Sequence, residues 1–248
     1  MATLARPPML RGRPPTIVVL AKYPTPGRVK TRLAAVVGRV AACQVYRAFI
    51  LDLARRLEGR RFRVWWAFAP AAAPFTSLVR TRRRFPQRGA DLGARIHHAL
   101  VRVARRAPAG VLAIGADTPH VSLRELGRAA RALAGGTDVV LGPARDGGYY
   151  LVGVRRPLRA LFAAIPWSTP RVLDETRRRC RALGLSVVEL APSFDVDDAG
   201  DLQALARLVA RRPAEFPATR GVLRRLGLNA PGGLPRPAAS PSSGCGRR

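Results

Sequence analysis

The sequence predicts an α/β domain built on a mostly parallel sheet. Three features predict it. Short apolar runs alternate with amphipathic helical stretches along most of the chain. The first run, TIVVLA at 16–21, is continuous and β-branched, as a strand buried on both faces should be. The residues best suited to chemistry fall just after such runs, where parallel sheets place their ligands. No internal repeat is present, so one domain is expected.

The elements follow in order. After the 16–21 strand comes a Pro/Gly-punctuated loop, Lys22 to Lys30, then a helical pattern from about Gly38 to Leu57. FRVWWAF at 62–68 is the second strand, and 70–88 is irregular with a short helix at 76–83. Asp91 is a fitting N-cap for a helix to about Arg106, with Ile96, Leu100 and Val103 on one face. GVLAI at 110–114 is the third strand, and Ser122 with Glu125 forms a capping-box signature for the next helix. DVVL at 138–141 and YYLVGV at 149–154 are strands around the turn Arg145-Asp146-Gly147-Gly148. Thr169-Pro170 opens a helix to about Leu183, with proline at its first position. LSVVEL at 185–190 is the last strand, and Asp195–Asp198 leads into a helix ending near Ala210. The expected organisation is a flexible extension over 1–15, a domain over 16–210, and a basic Pro/Gly/Ser-rich tail over 211–248. A short helix at 221–226 and disorder after Asn229 are expected within that tail.

Composition narrows the functional classes. The 248 residues are 48% hydrophobic and 24% charged, which excludes wholesale disorder. Basic residues number 44 against 15 acidic, a net charge of +29, which invites a nucleic-acid reading. Lysine, however, occurs only at Lys22 and Lys30, and arginine fills nearly every predicted helix surface. That even spread, without aromatics interleaved along a basic stripe, is the mark of compositional bias. Salt-sensitive polyanion sticking is expected, and no specific nucleic-acid partner. Cys43, Cys180 and Cys245 are far apart and in no metal-ligand spacing, as reduced thiols of a cytoplasmic protein would be. No apolar run approaches the roughly 18 residues of a membrane span.

Against this background the scarce residues are informative. Both lysines lie in Lys22-Tyr23-Pro24-Thr25-Pro26-Gly27-Arg28-Val29-Lys30-Thr31-Arg32. Two prolines stiffen this loop and Gly27 permits a tight turn, so Lys22, Arg28, Lys30 and Arg32 crowd together. Such crowding suits a phosphate or diphosphate, although the glycine spacing is not that of a P-loop. Asp117 ends a buried strand, and Asp195 and Asp197 are alternate residues of an extended segment, hence on one side of it. Three carboxylates brought together call for a cation, and Mg2+ or Mn2+ with phosphate oxygens fits that set. The bland readings are that Asp117 caps a turn and that Asp197 or Asp198 caps a helix. Asp146-Gly147-Gly148 is either a hairpin turn or an acceptor-facing loop in which Asp146 orients or deprotonates a hydroxyl. Gln87 and Asp91 open a helix able to meet an anion, or merely cap it. Trp167 offers its ring to a base or sugar, or packs in the core. His97, His98 and His120 show no triad or ligand spacing.

Taken in sequence, the motifs at 21–33, 87–95 (QRGADLGAR), 115–119 (GADTP), 142–153 (GPARDGGYYLVG), 167–169 (WST) and 195–197 (DVD) resemble a GT-A-fold family. Its members are known as radical-SAM/selenodomain-associated transferases or arsenosugar-type glycosyltransferases, formerly a domain of unknown function. The likeness spans about residues 16–210. More distantly the chain is similar to the molybdenum-cofactor and 2-phospholactate nucleotidyltransferases. The resemblance implies a nucleotide-diphospho-sugar transferase fold, a Rossmann-like three-layer sandwich with a mostly parallel mixed sheet. It implies that Lys22, Gly27, Arg28, Lys30, Arg32, Gln87 and Asp91 hold nucleotide phosphates. Asp117, Asp195 and Asp197 would hold the metal, and Asp146, Gly147, Gly148 and Trp167 would face a small-molecule acceptor. Lys30, Asp117 and Asp146 are the implied catalytic set.

The expected activity is metal-dependent glycosyl transfer from a nucleotide-sugar. The alternative is nucleotidyl transfer from an NTP to a phosphorylated acceptor, whose anionic nucleophile needs no base. A third, non-catalytic reading is a basic binding protein, whose polyanion affinity would survive loss of Lys22 or Asp117.

Overall fold

The computed structural model describes residues 14–58 and 62–228. Its strands are β1 (Thr16–Lys22), β2 (Arg63–Ala69), β3 (Arg84–Pro86), β4 (Val111–Gly115), β5 (Val139–Pro143), β6 (Tyr149–Val154) and β7 (Val187–Glu189). They form one sheet in the order β3-β2-β1-β4-β6-β5-β7. Only β6 runs antiparallel, against both β4 and β5. The order reverses between β1 and β4, and in sheets of this kind a crevice opens there beyond the carboxyl ends of the strands. The predicted α/β class with a mostly parallel mixed sheet is the fold found.

Alternation along the strands builds two cores. Ile17 and Val19 of β1, Trp66 of β2 and Ile114 of β4 face one side. There they meet α2 (Arg39–Leu57), α4 (Leu123–Ala134), α7 (Ala199–Arg211) and α8 (Pro217–Arg225). Val18, Ala67, Ala113 and Val152 face the other side, against α3 (Leu92–Ala104), α5 (Arg159–Phe162) and α6 (Val172–Ala182). Burial on both faces is why β1 and β4 read as unbroken apolar runs.

Several expectations shift. A separate helix, α1 (Thr31–Val37), precedes α2, and Gly38 at φ 86 is the joint between them. No side chain caps α1, so the usual start signal is missing. The 70–88 stretch holds a 3₁₀ turn (Phe75–Ser77) and the edge strand β3, too short to show a period. Thr169 is a turn residue: its Oγ1 donates to the Pro166 carbonyl and accepts from Arg171 N, and α6 starts only at Val172. Ser122 Oγ accepts from Glu125 N as predicted, while a Glu125 Oε2 accepts from Ala191 N and so ties α4 to the chain after β7.

The largest correction concerns the tail. Residues 211–228 belong to the domain: α8 lies on α2, with Phe216, Val222, Leu223 and Leu228 buried in the first core. The fully buried Asp52 of α2 accepts from Ala218 N and Thr219 N at 2.9 and 2.7 Å, capping α8 from outside it. Arg56 closes the seam, with NH2 3.1 Å from Glu215 and its guanidinium 4.9 Å from the centre of the Phe216 ring. A low-complexity sequence thus folds because α2 supplies an apolar face and a buried anion. The extension before residue 14 and the disorder expected after Asn229 lie outside the described residues.

Candidate active site

The crevice at the β1/β4 reversal is a cavity of about 410 Å3. Its cationic wall is the loop after β1. Lys22 N donates to the hydroxyl of the buried Tyr46, Arg28 N closes a turn on the Thr25 carbonyl, and Gly27 sits at φ 76. Val29 is buried, so the loop is anchored before it reaches Lys30. Lys30 itself lies in the left-handed region, φ 47 and ψ 50, at the start of α1. That conformation costs a non-glycine residue roughly 1–2 kcal/mol, so its side chain must be held well.

It is held by carboxylates. Lys30 Nζ lies 2.6 Å from Asp197 Oδ1 and 3.2 Å from Asp117 Oδ2, and stands 5.7 Å from the centre of the Tyr46 ring. The lysine side chain is 4% exposed, the two carboxylates 38% and 43%, so an ammonium is buried under partners that face the cavity. Burial alone would lower the Lys30 pKa, but Asp117 and Asp197 outweigh it and leave it above its ordinary value. Burial drives the Tyr46 phenol far up, so it stays neutral.

Backbone pairing explains why residues so far apart in sequence meet. Ala116 N donates to Leu20 O, and Val196 N donates to Asp117 O, so the 195–197 segment extends alongside the end of β4. Asp195 is oriented by the fully buried Thr118, whose Oγ1 donates to its Oδ1 at 2.6 Å. Desolvation first, then the charge of Asp117, pushes Asp195 up to about 7 against that hydrogen bond. Asp198 is the N-cap of α7, in a capping box with Asp201.

The remaining predicted residues divide. Lys22, Arg32 and Gln87 line the cavity beside Lys30, Asp117, Asp195 and Asp197. Gln87 Nε2 is spent on the Ala21 and Ala67 carbonyls, which makes it a staple between β1 and β2. Arg28 is exposed outside the cavity lining. Asp91 is a helix cap, its Oδ1 accepting from Ala94 N at 2.7 Å, and is not among the residues lining the cavity, which Leu92 and Arg95 join. Asp146 also turns inward on its own loop, accepting from Gly148 N at 2.9 Å. Gly147, at φ 85, is required by packing: a Cβ there would stand 2.1 Å from the Pro170 carbonyl oxygen. Trp167 is wedged over Gly93 of α3 and edge-on to Tyr149, so its ring belongs to the second core. For Asp91, Asp146 and Trp167 the bland reading describes the geometry. Local hydrogen bonds and a close helix contact were available to each, and outcompete a reach into the cavity.

Tyr46, Tyr149, Tyr150 and Thr118 are site residues that sequence reasoning missed. Tyr46 sits mid-helix among apolar residues and gives no local signal. Tyr149 and Tyr150 follow Asp146-Gly147-Gly148 directly and could have been read with it.

A divalent cation was expected on three carboxylates. Among the described residues no group of three His, Cys, Asp or Glu side chains is arranged to hold a metal ion. Asp195 is engaged by Thr118, and what converges is the pair Asp117 and Asp197, whose oxygens reach one common point, that of Lys30 Nζ. Two half-exposed carboxylates facing a cavity fit Mg2+ or Mn2+, which usually binds one or two carboxylates and completes its shell with water and phosphate oxygens.

The model of the DUF2064 family, described as an uncharacterized protein conserved in bacteria, matches residues 50–169. A crystal structure of a "putative nucleotide-diphospho-sugar transferase" from Desulfovibrio desulfuricans G20 is 30% identical, with a TM-score of 0.75, over 85% of this chain and 97% of its own. Two more distant structures share the fold. A cytidylyltransferase from Leptospira borgpetersenii serovar Hardjo-bovis (strain JB197) is 10% identical with a TM-score of 0.54, covering 86% of this chain and 95% of its own. CMP:2-keto-3-deoxy-manno-octonic acid synthetase, complexed with CTP, is 14% identical with a TM-score of 0.50, covering 80% and 99%. No curated protein gives a significant match.

Proposed function

This chain belongs to the family of the Desulfovibrio desulfuricans protein described as a nucleotide-diphospho-sugar transferase, and from that premise we propose that it transfers a glycosyl group from a nucleotide-sugar to a small-molecule acceptor. The observation that carries the proposal is the buried Lys30 ammonium, clamped by Asp117 and Asp197 at the mouth of the β1/β4 crevice. The buried ammonium holds the two carboxylates in place, and the Arg32 and Arg95 side chains lining the same cavity provide positive charge for a diphosphate. Asp117 and Asp197 would hold a magnesium or manganese ion, which supplies further charge to a departing diphosphate. Tyr46 and Thr118 position the lysine loop and Asp195. The finer placement among radical-SAM/selenodomain-associated or arsenosugar-type transferases rests on the motif series, and a cytoplasmic location on the scattered cysteines.

One observation favours the second reading, nucleotidyl transfer. Asp146, the base a hydroxyl acceptor would call on, is tied to Gly148 N outside the cavity lining, and a phosphate nucleophile needs no base. Product analysis separates the two. Incubation with a panel of nucleotide-sugars and manganese should release NDP in the wild type and not in Lys30→Met. Pyrophosphate released from an NTP and a phosphorylated acid, with no NDP from any sugar nucleotide, would transfer the assignment to nucleotidyl chemistry.

A further inference from the structure

A second concave site lies at the other end of α3. That helix enters the catalytic cavity at Leu92, Arg95 and Ile96, and its last turn, about 20 Å away by helix rise, borders a groove of about 500 Å3. Five arginines line it: Arg82 and Arg84 from the β3 edge, and Arg102, Arg105 and Arg106 from the end of α3, with Trp65 and Val101 as the apolar part of the lining. None of the five is in an ion pair with a carboxylate among the described residues.

Two of the guanidinium groups are already placed on aromatic rings. Arg106 stands 5.6 Å from the centre of the Trp65 ring and Arg102 4.9 Å from that of Phe85. Stacking fixes a planar fork before any ligand arrives, so less side-chain entropy is lost on binding. Trp65 Nε1 is a covered donor in the same wall, with no partner among the described residues. The carboxyl end of α3 contributes only about half a negative charge, which cannot balance five positive ones. General arginine enrichment accounts for arginines scattered singly over the surface, and not for five that line one groove with two aromatic supports and no ion-paired acid.

We propose that this groove is a binding site for a small oligophosphate anion, a di- or triphosphate chain. Its volume of about 500 Å3 leaves room for a short chain of tetrahedral anions, and guanidinium forks match phosphate oxygens in pairs. It is distinct from the catalytic cavity and stands whether or not the transferase assignment does.

The test is calorimetric titration of the full chain with inorganic tripolyphosphate at physiological salt. It uses the wild type, Lys30→Met to weaken the catalytic cavity, Arg82→Ser/Arg105→Ser in the groove, and Arg156→Ser/Arg181→Ser as a control of equal charge loss at exposed positions elsewhere. Binding should persist in Lys30→Met and in the control, and fall at least tenfold in the groove variant. The single variant Arg105→Ser, at an exposed helix end, serves if the double variant does not fold. Equal losses in groove and control variants, or loss in Lys30→Met alone, overturn the site. A short oligonucleotide that displaces tripolyphosphate at lower concentration than tripolyphosphate itself requires overturns the assignment to small oligophosphates.

Discussion

Replacing Lys30 with methionine tests whether the Asp117/Asp197 pair is built around a cation. The side chain keeps its length and apolar stem and loses the ammonium. Removing one partner of a buried ion pair costs roughly 3–5 kcal/mol when the other is fully desolvated. Here the carboxylates are 38% and 43% exposed, so water screens much of the repulsion left behind. A loss of about 2 kcal/mol is expected, which for a chain of this size lowers Tm by roughly 4–8 °C. The assay is thermal unfolding in chelator and again in millimolar magnesium or manganese. In metal the variant should recover most of the loss, because an ion can take the position between the two carboxylates, whereas the wild type gains less. A variant as stable as the wild type in chelator, or one that no divalent ion rescues, would refute the reasoning.

Three further outcomes follow from geometry. Asp52→Ala removes two charge-assisted bonds to the start of α8, each worth roughly 1.5–3 kcal/mol; denaturant midpoints should show a loss of about 3–5 kcal/mol, and protease should reach 214–228 first. Gly147→Ala places a methyl 2.1 Å from the Pro170 carbonyl at a φ of 85; a loss of roughly 3 kcal/mol or more is expected from strain, read by thermal melts. Burial, with Arg56 and Arg145 nearby, pulls His120 down to about 4, and its Nε2 is 3.2 Å from Ser193 Oγ. The unfolded chain therefore binds the extra proton between about pH 4 and 6.5. Stability contributed by neutral His120 is present above the unfolded value and is lost as pH falls through that window, by at most about 3 kcal/mol. His120→Gln should flatten this part of the stability–pH curve, and an unchanged curve would count against the cause.

Much of the site was legible because it depends on residue types that are rare here. Two lysines in one loop and aspartates after strands stand out against 42 arginines, and Lys22, Lys30, Asp117, Asp195 and Asp197 do line one cavity. Where the sequence offered two uses for one side chain, it could not choose between them. Asp91, Asp146 and Trp167 each went to the nearer partner, a helix N-terminus, a turn amide and a helix glycine. Tyr46 and Thr118 were hidden because their roles depend on segments 24 and 77 residues away.

Periodicity and capping chemistry, which act within a few residues, were enough by themselves for strands at 16–21 and 110–114, capped helices after Asp91 and Ser122, a helix after Asp195–Asp198, and hence the α/β class. Only the tertiary structure decided that a Pro-, Gly- and Arg-rich tail becomes α8, because the anion that caps it lies 166 residues earlier on α2. The same holds for Lys30: its left-handed backbone and buried charge are tolerable only where a carboxylate just past β4 and one just before α7 arrive together. Local interactions are encoded by neighbours in the chain, and desolvated charges by whatever the fold brings against them.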